Sequence, residues 1–244
     1  MEWSGDALIL SVRPHGETSA IAEVFSRDQG RHLGLVRGGR SRRLRPVLQT
    51  GNRVEATWKA RLADHLGNLT VELREGHAAV WLDSPGELAA LASMAGLLRA
   101  LPERDPHPSL YEVTLFVLGF LEDAEVWPAL VARWEMELLD ELGFRLDLTV
   151  CAGGGDPHDL AFVSPKTGRA VSAEVGAPYA DRLLRLPRFL LPAAAERQRE
   201  ANPSDVLDAL ALTGFFLSRD VYEARGDVMP DARERMVGWL RRRG

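Results

Sequence analysis

The fold of the first part of this chain is decided by Arg53-Val-Glu-Ala-Thr-Trp-Lys59. Its apolar residues alternate with polar ones, so Val54, Ala56 and Trp58 share one face of an extended strand. Residues 69–73 repeat the same period of two. A strand of this kind packs one face on a core and leaves the other in water. The pattern therefore predicts a small β structure with Trp58 in its core.

Three more strands precede this one. They are predicted at residues 6–13, 20–26 and 31–37, with Pro14 ending the first and the turn residues Asp28-Gln29-Gly30 separating the last two. A short helix is predicted near residues 41–48. Five strands with an interruption between the third and the fourth match the OB-fold, a partly open barrel that often binds oligonucleotides.

The connection after the third strand is Arg-Gly-Gly-Arg-Ser-Arg-Arg-Leu-Arg, residues 37–45, in a chain of net charge −5. Between residues 27 and 61 the only acidic residues are Asp28 and Glu55. The planar guanidinium group pairs two donors with a phosphate, and Gly38 and Gly39 allow a sharp turn and close approach to a ligand. Local charge, and not net charge, attracts a polyanion. The predicted DNA-binding residues are Arg31, Arg37, Arg40, Arg42, Arg43, Arg45, Arg53 and Lys59. The alternative is a solvated loop that only keeps the protein soluble.

After Asp83 the hydrophobic period changes to 3.6, which predicts helices. Ser84 and Ser109 are predicted N-caps of the first two, and the second helix is apolar nearly all round, which predicts a buried bundle centre. Gly143 is the predicted end of the third. The helices are expected at 84–98, 109–121, 128–142, 179–186, 202–219 and 231–242. An irregular stretch at about 150–177, predicted without helix, carries a β-hairpin that turns at 165–168.

The predicted fold class is α+β multidomain. Residues 1–82 form a five-stranded OB-fold barrel that binds DNA, and residues 83–244 form an all-α helical bundle with the hairpin insertion.

Composition and motifs argue against several classes of protein. A single cysteine, Cys151, excludes a disulfide framework and suggests a reducing, cytoplasmic location. No apolar run is long enough to cross a membrane, and the first residues lack a basic n-region. The glycine groups lack P-loop or dinucleotide spacing, and Cys151 with His158 falls short of the four ligands of a structural zinc site. We therefore predict no enzyme activity, no metal and no cofactor.

Several segments in order resemble the bacterial RecO family of recombination mediators. They are Arg13-Pro-His-Gly-Glu-Thr-Ser19, Val36-Arg-Gly-Gly-Arg-Ser-Arg-Arg43, Arg133-Trp-Glu135 with Leu142-Gly143, and Phe162-Val-Ser-Pro165. The resemblance extends to about Leu191. It implies an OB-fold, a helical domain, binding of single- and double-stranded DNA, and annealing of complementary strands. It also implies work with RecR and with the single-stranded DNA-binding protein SSB to load RecA, and hence a place at the nucleoid.

The sequence departs from this family in one respect. Many members carry two Cys-x-x-Cys pairs, whereas here the four positions hold Cys151, Gly154, Ser172 and Val175. The hairpin would then be a zinc-ribbon-like remnant without its cysteines, and we expect no zinc.

The resemblance also implies docking of the acidic C-terminal tail of SSB, which ends in a phenylalanine carboxylate. Such a peptide needs an apolar pocket and a cation. The predicted site consists of Arg133 and Trp134 with Phe116 and Phe120. The alternative is that Arg133 only pairs with Glu137 one turn on.

Two other functions remain open at this point. Backbone recognition by arginine does not separate DNA from RNA, so an RNA-binding OB-fold protein with a helical interaction domain is the main alternative. The third is an enzyme whose pocket includes residues 151–176. The absence of an assembled catalytic set disfavours it.

Overall fold

A computed structural model describes residues 1–62, 65–77, 84–191 and 201–243. Packing divides the chain into two compact units: the first unit is residues 1–122 with 230–236, and the second unit is residues 123–229 with 237–244. The boundary predicted between residues 82 and 83 lies outside the described residues. In the described part of the chain no helix has both the length and the apolar character needed to span a membrane.

The first unit contains a closed five-stranded barrel, which confirms the predicted fold class. Its strands are β1 (Glu2–His15), β2 (Ser19–Ser26), β3 (Gly30–Val36), β4 (Arg53–Lys59) and β5 (Asn68–Glu75), joined in the order β1-β2-β3-β5-β4. The long β1 pairs with β2 through residues 7–15 and with β4 through residues 2–8. One strand therefore serves both halves of the barrel. The barrel closes where β3 and β5 run parallel, paired only at Leu35 and Asn68.

Inward-facing residues of these strands form the barrel core. Trp58 is 3% exposed, as predicted, and its indole nitrogen donates hydrogen bonds of 3.1 Å to the carbonyls of Leu33 and Leu66. Phe25 lies outside this core cluster but is fully buried, and it packs edge-on against Tyr111. Both side chains are therefore structural.

The helix predicted near residues 41–48 is wrong, because this segment is a series of turns. Two isolated i to i+4 bonds form, from the Arg45 amide to Ser41 and from the Leu48 amide to Leu44. Pro46 has no amide hydrogen, so the ladder between them cannot continue. Leu44 and Leu48 are instead buried in the barrel core.

Two helices complete most of the first unit: α1 (Pro85–Leu98) and α2 (Pro108–Gly119). Ser84 precedes α1 as predicted, yet its side chain makes no capping bond, and α2 begins after His107, one residue before the predicted Ser109. The Tyr111 hydroxyl of α2 donates a 3.0 Å hydrogen bond to Asp6 of β1. Because α2 is bonded to the barrel, the packing unit extends beyond residue 82.

The prediction that α2 is buried on all sides is wrong. Phe116 and Phe120 are 56% and 41% exposed, while Leu110, Val117 and Leu118 on another face are buried. Sequence hydrophobicity alone does not show which apolar side chains find a packing partner.

The second unit is built around α3 (Trp127–Glu141) and α5 (Pro203–Phe216), with α6 (Asp231–Arg243) assigned partly to each unit. A π-helical turn at Leu217–Tyr222 follows α5. Gly143, at φ +85°, ends α3 as predicted, and Asn202 caps α5 by accepting a 2.9 Å bond from the Asp205 amide. The Thr213 hydroxyl of α5 donates to the buried Glu135 carboxylate of α3 at 2.5 Å.

The second unit also contains a small sheet of β6 (Leu160–Val163), β7 (Ala170–Ser172) and β8 (Leu184–Arg185), in the order β7-β6-β8. Strands β6 and β7 form the predicted hairpin. The helix predicted at 179–186 is wrong, since β8 (Leu184–Arg185) pairs there with β6. Pro187 restricts Leu186 to extended conformations, which favours the strand. The stretch predicted without helix contains one turn of α4 (Ala173–Gly176) and a 3₁₀ turn at Pro157–Asp159.

We expect His32 to make barrel stability depend on pH. It is 6% exposed and lies between Trp3 and Trp58, with ring centroids 5.0 and 5.4 Å away. Burial lowers the pKa of His32, assisted by the positive charge of Arg104, although hydrogen bonds to the carbonyls of Gly30 and Gln29 oppose the shift. Protonation therefore favours the unfolded chain. The free energy of unfolding should fall as pH drops below about 6.5, by at most about 1.4 kcal/mol per pH unit.

Urea denaturation at several pH values between 7.5 and 5 tests this expectation. The His32→Gln variant should lose part of the decline whatever its stability at neutral pH, because the side chain no longer titrates. Identical pH profiles for the two proteins would show that His32 has no such role.

Candidate nucleic-acid interface

The arginine loop, residues 37–45, lies between β3 and β4 and presents its charges to solvent. Arg37, Arg40, Arg42, Arg43 and Arg45 are exposed, while Leu44 is 7% exposed. The loop backbone is held on the barrel, since the Arg40 amide donates to the Thr18 carbonyl at 3.0 Å. The cations are thus displayed by a fixed segment.

The two glycines of this loop are needed for different reasons. Gly38 adopts φ +66°, a left-handed conformation that favours glycine. A Cβ at Gly39 would lie 2.8 Å from the Cβ of Ala20 on β2. Gly39 therefore allows a close approach of the loop to the barrel.

The charges of the arginine loop are not compensated by nearby acids. Arg40 donates to the carbonyls of Gly16 and Glu17 at 3.0 and 2.9 Å. Within the described residues, none of the five loop arginines forms an ion pair with a carboxylate. Five guanidinium groups therefore remain available for phosphates.

Arg31, also predicted to bind DNA, is part of a buried ion network. Its guanidinium pairs with Glu23, whose side chain is 3% exposed, and donates to the Leu101 carbonyl at 2.9 Å. Arg99 and Ser11 complete the contacts of Glu23 at 2.8 and 3.0 Å. This geometry indicates a structural role for Arg31.

Arg53 and Lys59 lie on β4 and are likewise paired. Arg53 holds Asp6 at 2.8 Å, and Lys59 holds Glu2 at 2.8 Å. The hydrogen bond and charge of the second pair lower the pKa of Glu2 and raise that of Lys59. The structure thus separates the eight predicted residues into five loop cations and three cations paired with acids on the barrel.

A groove runs between the arginine loop and β5. Arg37, Arg43 and Leu44 line one side, and residues 68–72 line the other, around a volume of about 410 Å³. Asn68, Thr70 and Glu72 are its exposed residues on β5. They were not among the residues predicted to bind DNA. The alternation of β5 already places them outward, but only the structure shows that the arginine loop lies beside them.

The residues predicted to bind the SSB tail fall in different units. Phe116 and Phe120, in the first unit, form an exposed ring pair 4.9 Å apart. In the second unit Trp134 is fully buried, so its indole cannot contact a bound peptide without rearrangement. Arg133 is exposed and donates to the Phe189 carbonyl at 3.0 and 2.5 Å, and not to Glu137.

The four positions where the resemblance implied cysteines in other members do not fit a zinc ion. Cys151 and Ser172 are adjacent, with the Ser172 amide 3.2 Å from the thiol sulfur, but Gly154 and Val175 offer no ligand atom. No cluster of three or more metal-ligating side chains occurs in the described parts of the chain. Burial raises the pKa of the Cys151 thiol, but hydrogen bonds from Ser172 and from the amides of Gly153 and Gly155 outweigh it and lower the pKa to about 7.

Comparison with known proteins matches both parts of this architecture. Residues 1–77 match the family model described as Recombination protein O N terminal, and residues 83–227 match Recombination protein O C terminal. The DNA repair protein RecO of Mesorhizobium japonicum is 53% identical over 242 residues, covering 99% of this chain and 94% of that protein. That of Rhodospirillum centenum is 50% identical over 245 residues, covering 99% and 96%.

The chain belongs to the RecO family.

Membership confirms the resemblance seen in the sequence and identifies a DNA repair protein of the RecO family. The RecO family model for the N terminus covers the whole barrel, including the arginine loop and the groove. The candidate nucleic-acid interface therefore lies within the part of the chain that matches the N-terminal family model.

Proposed function

We propose that this RecO-family protein binds single- and double-stranded DNA through the arginine loop and anneals complementary strands. The observation that supports this most directly is the set of five exposed, uncompensated guanidinium groups on an OB-fold barrel. Contacts from arginine to phosphate position a strand without reading its sequence. The contribution of these arginine–phosphate contacts should therefore be the same for every sequence and should depend strongly on salt.

Annealing follows from charge neutralisation on a fixed surface. Two complementary strands repel each other through their phosphates, and a strand held by several guanidinium groups repels its complement less. Because the loop backbone is bonded to the barrel, only the arginine side chains, and not the backbone that carries them, need ordering when a strand binds. The protein would lower the barrier to pairing without catalysing a covalent step, so we propose a mediator and not an enzyme.

Partners form the second part of the proposal. We propose that the protein acts with RecR, contacts the C-terminal tail of SSB and thereby helps RecA to load on SSB-coated DNA at the nucleoid. Family membership supports this role, and the relatives compared above are DNA repair proteins. Arg133 is the exposed cation of the predicted tail site, and its guanidinium also donates to the Phe189 carbonyl, whereas Trp134 is buried.

We expect Arg133→Ala to weaken binding of a labelled SSB tail peptide about tenfold or more, because a peptide carboxylate would lose a charge-assisted pair. Fluorescence anisotropy with the wild-type peptide and with a peptide lacking its last phenylalanine measures this. Arg145→Ala, on another exposed arginine of the second unit, is the matched control. Unchanged affinity in the folded Arg133 variant, or no effect of the missing phenylalanine, would remove this assignment.

The annealing proposal is tested with matched DNA and RNA oligomers. The rate of duplex formation from complementary strands should rise with the protein present, and more for DNA than for RNA. Gel-shift titration at two salt concentrations should show the affinity falling as salt rises. Annealing and binding that favour RNA would support the RNA-binding alternative, and no binding to either would contradict the proposal.

A further inference from the structure

One carboxylate lies where simple electrostatics disfavours it. Glu72 on β5 is directly opposite Glu55 on β4, and like charges in this position destabilise a sheet. Arg74 partly neutralises the charge of Glu55 through an ion pair of 3.0 Å. No cation of the described residues pairs with Glu72. Its negative charge is therefore not used to stabilise the barrel.

The same carboxylate lines the groove between the arginine loop and β5. Arg37 and Arg43 belong to that groove and attract phosphates, whereas Glu72 repels them. Positions that break a local rule are expected at functional or strained sites. Glu72 is an acceptor only, so any ligand group that it binds beside the phosphates must be a donor.

We propose that Glu72 accepts hydrogen bonds from the Watson–Crick edge of a guanine turned into this groove from a single strand. This inference rests on the proposed DNA binding by the arginine loop. Guanine presents two neighbouring donors, its N1–H and its 2-amino group, which match the two oxygens of one carboxylate. Thymine offers one N–H between two carbonyls, and those carbonyls repel a carboxylate.

The groove has the size and the polarity for this arrangement. Its volume of about 410 Å³ falls in the range of small-ligand sites. Arg37 and Arg43 line the same groove as Glu72, and Thr70 and Asn68 continue its row of exposed polar side chains on β5. The Watson–Crick edge is free only in a single strand, so the preference should vanish in a duplex.

Competition binding with three oligomers of equal length tests the inference. One contains only thymine, one carries isolated dG residues in thymine, and one carries deoxyinosine at the same places. Deoxyinosine lacks the 2-amino group. The wild-type protein should bind the dG oligomer about fivefold tighter than the thymine oligomer, the lower end of the discrimination that a bidentate base contact provides. The deoxyinosine oligomer should lie between them.

The Glu72→Gln variant should lose most of the dG preference while keeping its affinity for the thymine oligomer or gaining slightly. The matched control is Glu122→Gln, which removes the same charge at an exposed position in the first unit outside the groove. It should keep the wild-type preference.

Three results would overturn the inference. They are an equal affinity of the wild type for all three oligomers, a dG preference that survives in Glu72→Gln, and a uniform gain for every oligomer without loss of preference. The last would make Glu72 a repulsive charge only. Failure of the wild type to bind any oligomer would overturn the proposed DNA binding and this inference with it.

Discussion

Replacing Arg42 and Arg43 together by glutamate is expected to weaken binding of single-stranded DNA about 25-fold at 0.1 M salt. Each phosphate contact on a single strand contributes about 0.7 to the log–log salt slope, which is about fivefold between 1 M and 0.1 M salt. Both side chains are exposed and unpaired with any acid in the described structure, so stability should change by less than about 0.5 kcal/mol. Fluorescence anisotropy over a salt series measures affinity and slope together.

The matched control for this charge reversal is Arg241→Glu with Arg242→Glu. These arginines are also exposed and consecutive, but they lie at the end of α6 in the second unit. The net charge changes equally, so a large loss in the loop variant alone would locate the contact. A folded loop variant with the wild-type affinity and salt slope would refute the phosphate-binding role of the loop.

The second large effect concerns stability. Arg31→Met should lower the free energy of unfolding by about 3 kcal/mol, since removing one partner of a buried ion pair leaves the other charge uncompensated. Glu23 is 3% exposed on its side chain, and Arg31 is 15% exposed. Urea denaturation at pH 7.5 measures the change. The folded fraction of this variant should bind DNA with nearly the wild-type affinity.

Two further variants distinguish the loss of the Arg31–Glu23 ion pair from the loss of side-chain packing. Adding Glu23→Leu to Arg31→Met removes both charges, so the double variant should lose less stability than the single one. Arg43→Ala, in the arginine loop, should leave stability within about 0.5 kcal/mol of the wild type. An unfolding free energy within that margin for Arg31→Met would contradict the structural role of the network.

The strands of the barrel were predictable because every one has a face in the core. That geometry imposes a period of two on β3, β4 and β5, which Trp58 shows most clearly. Consecutive residues of β1 and β2 are buried, and these strands were predicted from their β-rich composition and the turn residues beside them. The helices of the second unit were predictable where periodicity, Asn202 and Gly143 agreed. Two predicted helices failed for different reasons. Pro46 removed one amide from the first, and pairing with β6 took residues 184–185 from the second.

The candidate site was predictable only in part. The cluster of arginines in residues 37–45 is a local feature, so the sequence displays it directly. Ion pairs are not local: Arg53 meets Asp6 from 47 residues away, and Arg99 meets Glu23 from 76. The sequence alone therefore does not distinguish cations that pair with an acid from cations that do not. The position of Glu72 beside the loop likewise depends on the parallel closure of β3 against β5.

Leu44 and Leu48 hold the loop by its apolar side chains, and the arginines extend from the opposite side of the same backbone. The two sets of side chains are under different structural constraints, because the leucines must fill the barrel interior and the arginines need only reach solvent. Substitutions among the arginines can therefore accumulate without loss of the fold. Over evolutionary time, or in the laboratory, the affinity for nucleic acid could be raised or lowered stepwise while the barrel stays the same.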